Sequence, residues 1–276
     1  MTLRERLSLT TAKIRAVGAR GLARTAWAKL SAGQLASVDE SAIVFDALGR
    51  RISSGCMVDV GAHFGGSLAP FLASGWRVLA FEPDPRNRAV LHARFPAHAG
   101  LQIDDRAVSD QSAGRVTLFR SRESSGISSL APFSATHEPA AVVDTVTLAD
   151  AMAEHGIPDI DFLKIDSEGF DLIVLRGLAW SDCRPRVIQC EFEDSKTRRL
   201  GYGYHDLASF LVAQGYHVLV SEWYPIQSYG SRHRWHSFGP FPRTLNHPDA
   251  WGNLIAAREA DDFTAIRQAF SARLHR

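Results

Sequence analysis

From Met57 to Trp223 the chain alternates short apolar runs with longer helix-like segments, and few architectures accommodate that rhythm. MVDV (57–60), WRVLAF (76–81), LQID (101–104), GRVTLF (114–119), IDFLKID (160–166), RVIQCEFE (186–193) and YHVLVSEW (216–223) read as strands. SLAPFLASG (67–75), DPRNRAVLHARF (84–95), TLADAMAEHG (147–156), FDLIVLRGL (170–178) and YHDLASFLVAQG (204–215) read as helices between them. Pro85 suits a first helical turn, and Gly75 and Gly156 suit helix ends. Strands of this length separated by helices favour right-handed crossovers, so the expected fold is α/β: a mainly parallel central sheet with helices on both faces.

Three segments organise the 276 residues. Residues 1–50 read as a basic N-terminal helical extension, 51–225 as the core, and 226–276 as a loop and helix rich in aromatic residues, His and Arg, packed on the core. The N-terminus carries Arg4, Arg6, Lys13, Arg15, Arg20, Arg24 and Lys29 against Glu5, with Leu7, Ile14, Val17, Leu22 and Leu30 at roughly helical spacing. A helix packed on the core or on a second subunit, a peripheral contact with an anionic membrane, and a transit peptide are the three readings of that pattern. A net charge of +1 argues against nucleic acid as a partner. Cys56, Cys183 and Cys190 give neither a metal pattern nor a disulfide framework, and no apolar signal-peptide core is present. A reducing, cytoplasmic setting is the expectation.

The stretch MVDVGAHFGG places an acid, Asp59, at a strand end before a turn containing Gly61 and Gly65, with Ala62 and His63 where a dinucleotide motif has its second glycine. The missing glycine and the carboxylate both disfavour a pyrophosphate. Glu82, followed by Pro83, ends the next strand 21 residues after Gly61, where an acceptor-only carboxylate can take both hydroxyls of a ribose. DDRAVSD follows the third strand and offers Asp104 or Asp105, beside Arg106, to an adenine amino group. In order and at strand ends, these features favour an adenosyl ligand without phosphates, S-adenosylmethionine.

VDVGAHFGG, FEPDP, DDRAVSD, ISSL, VTLADAM, DFLKIDSEGFDLIVLRG and RVIQCEFE occur in the order seen in FkbM-type methyltransferases, which this chain resembles over about residues 55–222. The resemblance implies the class I, Rossmann-like methyltransferase fold, S-adenosylmethionine as cofactor, and methylation of a hydroxyl oxygen. It places Asp59, Gly61 and Gly65 in the cofactor loop, with Ala62 between them, and makes Glu82 the ribose acid and Asp105 the adenine-side acid. Pro83, Arg106 and Asp166 complete the expected cofactor contacts.

Transfer to an alcohol calls for a base. Asp166, Glu191, His63 and a histidine of the C-terminal loop are the candidates, and the sequence does not choose among them. Lys164 reads as a supporting ion-pair residue and Glu168 as a helix cap or a site carboxylate. Asp166, Glu168 and Glu191 are oxygen donors of the kind a hard cation takes, but no separate carboxylate-rich motif demands a metal, and none is assigned. SSGISSL (124–130) is either a solvated loop or a lid that orders over the cofactor. The segment from Trp223 to Trp251 mixes aromatic residues with Arg and His; it reads as a sugar-binding platform or as cover for a sheet edge. The acceptor is therefore expected to be a small molecule or saccharide, such as a polysaccharide or glycolipid precursor. A nicotinamide oxidoreductase and a non-catalytic S-adenosylmethionine-binding protein are the competing readings.

Overall fold

The computed structural model describes residues 38–49, 51–229 and 231–274. The basic N-terminal pattern of residues 1–37, with its readings as a membrane or subunit contact, lies outside the described residues. Strand β1 (Cys56–Val60) pairs in parallel with β2 (Arg77–Phe81) and, on its other side, with β7 (Phe162–Ile165). Beyond β2 comes β3 (Leu101–Asp104), and beyond β7 comes β8 (Val187–Glu193), both parallel. The remaining edge is antiparallel: β11 (Trp251–Ala257) lies between β8 and β9 (His217–Trp223), and β10 (Trp235–Pro240) closes that side. The eight-stranded order is β10-β9-β11-β8-β7-β1-β2-β3.

Side chains alternate along each strand and build two cores. Val58, Leu163 and Ile188 face helices α4 (Leu148–Glu154), α5 (Asp171–Arg176) and α7 (Tyr204–Ala213). Met57, Phe162 and Val187 face α1 (Glu40–Val44), α2 (Ala69–Ala73) and α8 (Ala260–Leu274). Helix α3 (Pro85–Arg94) begins after β2; Asp84 caps it by accepting from the Arg86 N–H at 2.9 Å. A second, three-stranded sheet sits above the carboxyl ends of the main strands, with β6 (His137–Val146) between β4 (Ala107–Val108) and β5 (Arg115–Ser121).

The stretch after residue 225 differs from the expected loop. It contributes β10 and β11, and β11 is an inner strand. Trp223, Trp235, Phe238 and Trp251 pack into or against the core rather than forming one open platform. Trp223 Nε1 donates to Glu40 at 2.7 Å, and Trp235 Nε1 donates to the Ser221 hydroxyl at 3.0 Å. These rings pack on the antiparallel side of the sheet, where Trp223 meets α1 and Phe238 stacks on Phe270 of α8.

Candidate functional site

The carboxyl ends of β1, β2, β3 and β7 are held level by backbone bonds that continue past the strands. Asp166 N–H donates to Val60 C=O, Gly61 N–H to Phe81 C=O, and Glu82 N–H to Asp104 C=O, all at 3.0–3.1 Å. The first turn must then leave β1 sharply. Gly61 has φ +80°, and a Cβ there would lie 2.0 Å from the Asp166 carbonyl oxygen, so only glycine allows β1 and β7 to finish this close. At Gly65 (φ +70°) a Cβ would meet Leu91 and Phe95 at 2.6 Å.

Above these ends lies a cleft with about 790 Å³ of empty space, its open mouth included. Gly61, His63, Glu82, Pro83, Asp166 and Glu168 are on its walls, opposite Leu118 and the 125–130 loop. Glu82 is buried; its Oε2 accepts from His63 N–H at 2.7 Å and its Oε1 from Asp84 N–H at 2.9 Å. Burial nevertheless pushes its carboxyl up to about 8. His63 has φ +49°, and burial pulls its imidazole down to about 4, so the ring is neutral at pH 7. His63 Nε2 meets the Ser125 hydroxyl at 3.0 Å.

Three bonds fasten the 125–130 loop to the start of α3 and to the turn after β7. Ser125 C=O accepts from Asn87 Nδ2 at 3.0 Å, Ser128 donates to Asp84 at 3.1 Å, and Ser129 donates to Glu168 C=O at 3.0 Å. Arg120, from β5, grips the same Asp84 with two bonds of 2.6 and 2.8 Å. The segment is thus an ordered wall of the cleft.

Several expected site residues lie behind the lining. Asp59 is fully buried below the turn, where it accepts from the Ser67 hydroxyl at 2.5 Å and from Lys164 Nζ at 3.3 Å. Lys164 also reaches Asp166 at 3.3 Å, which is the supporting ion pair expected of it. Ala62 and Gly65 pack under the turn rather than on the cleft. Asp105 is exposed, and Arg106 is taken by Asp104 and Glu154; both line a separate shallow depression, while Ala107 and Val108 supply the cleft wall. The two-residue offset arises because Asp104 turns back to Arg106 and His155, carrying the chain away before it re-enters as β4.

The carboxylates beyond β7 and β8 form a buried cluster. Single oxygens of Asp166, Glu168 and Glu191 lie within 4.8 Å of one another. Glu168 and Glu191 share a neighbour in Lys196 on α6 (Asp194–Thr197), a lysine that carries no motif in the sequence. Its Nζ lies 2.6 Å from Glu168 and 2.8 Å from both Glu191 and Glu193, under the rings of Phe133 and Tyr229. Glu191 therefore faces Lys196 and is not among the cleft-lining residues; burial raises its carboxyl well above the usual range. Glu168 is on the lining, at φ +54°, with its carboxyl pushed up to about 7 by burial against the pull of Lys196. An ammonium already contacts two members of the acidic trio, and no metal is assigned to it.

The donor set fits an adenosyl sulfonium. Among the described residues three carboxylates, Glu82, Asp166 and Glu168, line the cleft, and no Lys or Arg does. Such walls repel a pyrophosphate and favour a cation with hydroxyl donors. The sheet order, the glycine turn and these carboxylates define a class I methyltransferase that uses S-adenosylmethionine. Residues 59–218, more than half of the chain, match the family model described as methyltransferase FkbM domain, and the protein belongs to that family. None of the curated proteins compared matches the chain. Solved structures similar to it include a precorrin-6y C5,15-methyltransferase from Geobacter metallireducens, with TM-score 0.41 and 14% identity over 83% of this chain and 92% of that one. A putative O-methyltransferase from Klebsiella pneumoniae has TM-score 0.42 and 11% identity over 87% and 89%. An O-methyltransferase from Bacillus cereus in complex with SAH has TM-score 0.41 and 12% identity over 86% and 89%.

Proposed function

We propose that this methyltransferase acts on a hydroxyl oxygen of a small molecule or saccharide, with Glu168 as the base. The observation that carries the reading is the position of Glu168: on the cleft wall next to Asp166, with a carboxyl near neutrality. A base with a pKa close to the working pH best combines the ionised form with proton affinity. When bound, S-adenosylmethionine supplies an electrophilic methyl group. The chain's own part is to orient the acceptor oxygen and take its proton onto a Glu168 oxygen, while Lys196 holds the carboxylate in place. Asp166, tied to Lys164, accepts a second hydrogen bond from the acceptor or the cofactor. His63 is a poor base at about 4 and serves as a clasp for Ser125.

A polyhydroxylated acceptor suits this cleft because its carboxylates, Asp166 and Glu168, accept from hydroxyls. Release of S-adenosylhomocysteine over a panel of saccharides, simple alcohols, amines and thiols tests the proposal. Turnover confined to hydroxyl-bearing acceptors supports it, and turnover only with amines or thiols refutes it.

A further inference from the structure

Asn87 sits in the first turn of α3, is 2% exposed and lines the cleft. Its Nδ2 donates to Ser125 C=O at 3.0 Å, yet its Oδ1 meets no donor among the described residues. The Ser125 bond fixes the amide's orientation, because turning it over would set Oδ1 against another acceptor. The unpaired atom is therefore an oxygen, and buried acceptors of this kind are nearly always satisfied by some partner.

The surroundings indicate which partner. Ser125 is bonded to both Asn87 and His63, and the His63 N–H donates to Glu82, so one short chain of contacts links Asn87 and Glu82, and both line the cleft. Each Glu82 oxygen already accepts one backbone N–H and retains capacity for one more donor. We infer that Asn87 Oδ1 accepts a ribose hydroxyl of the adenosyl cofactor and shares recognition of the ribose diol with Glu82. A deoxynucleoside would leave a buried acceptor unpartnered, so Asn87 is a specificity residue for ribose. The inference rests on the cofactor and not on the acceptor proposed above.

Calorimetric binding at a pH above 8 tests it, with S-adenosylhomocysteine, its 2′-deoxy and 3′-deoxy analogues, and S-inosylhomocysteine as probes. Asn87→Ala is expected to shrink the discrimination against one of the two deoxy analogues by about 3- to 10-fold, the worth of one neutral hydrogen bond. The ratio of adenosyl to inosyl affinity stays unchanged. Asn87→Ser carries the same comparison if melting curves show that the alanine variant does not fold. Three results would overturn the assignment: unchanged discrimination against both deoxy analogues, equal weakening of all four ligands through a lost Ser125 clasp, or a changed adenosyl-to-inosyl ratio.

Discussion

Lys196 Nζ lies 2.6 Å from a Glu168 oxygen, and that contact sets the charge of the one carboxylate in the cluster that both lines the cleft and is buried. Lys196 lowers the Glu168 carboxyl against burial, leaving it at about 7. The rate of an enzyme using it as base rises with pH through that value and levels off above it. Glu168→Gln should lower kcat by about 10²–10⁴-fold and abolish the acid limb, with cofactor affinity little changed. Initial-rate pH profiles beside calorimetry read both quantities.

Removing the ammonium leaves three buried carboxylates without their shared countercharge. Lys196→Met is expected to destabilise the fold by about 3–5 kcal/mol at pH 8, and less at pH 5, where Glu168 and Glu191, both raised by burial, protonate. In whatever fraction remains folded, the acid limb of the rate profile moves to higher pH, because the group that lowered Glu168 is gone. Urea unfolding at the two pH values and the rate profile check the two halves of this prediction.

Glu82 makes the cofactor site pH-sensitive. Its folded carboxyl, at about 8, lies above an ordinary value of 4.5, so the fold without cofactor binds the proton more tightly than the unfolded chain does. That stability is fully present below 4.5 and is lost as pH rises through 8. Ribose hydroxyls donating to Glu82 favour the carboxylate, so cofactor binding releases a proton and tightens with pH by at most about tenfold per unit below that value. Calorimetry in buffers of different ionisation enthalpy measures the released proton, and Glu82→Gln should abolish it and weaken binding.

Asp59 and Gly61 act on the cofactor through the shape of the turn. Asp59→Ala removes the partner of Ser67 and one partner of Lys164, which should lower stability by about 1.5–3 kcal/mol and weaken cofactor binding as a consequence. In Gly61→Ala, the φ of +80° and the 2.0 Å approach to Asp166 C=O force the turn away from β7. The left-handed backbone alone costs about 1–2 kcal/mol, and the displaced turn should bind S-adenosylhomocysteine poorly even at temperatures where melting curves show a folded chain.

The core of the architecture was readable because apolar runs such as MVDV and DFLKI are buried on both faces and need only length and punctuation to be recognised. β6 escaped notice: HEPAAVVDTV contains Pro139 and alternates around an exposed Val142, a pattern of pairing with β5 rather than of a core strand. β11, with Gly252 and Asn253 inside it, became a strand through its two neighbours, a long-range pairing no local window contains. Among the strand-end acids, spacing could nominate Asp59, Glu82 and Asp105 alike. Only the packing of Ser67 and Lys164 around Asp59, and the turn of Asp104 toward Arg106, show that Glu82 alone of the three lines the cleft. Lys196 and Asn87 carried no motif; their roles come from what α6 and α3 bring them against.

Transfer of a methyl group to oxygen is read from the linkage in the product. The protein, S-adenosylmethionine carrying a carbon-13 methyl group, and the hydroxyl-bearing acceptor that releases most S-adenosylhomocysteine are incubated together, and the product is examined by proton–carbon correlation NMR. A methoxy signal that is lost with Glu168→Gln is the expected result. A labelled methyl group on nitrogen, sulfur or carbon, or a methoxy product formed equally well by Glu168→Gln, would contradict it.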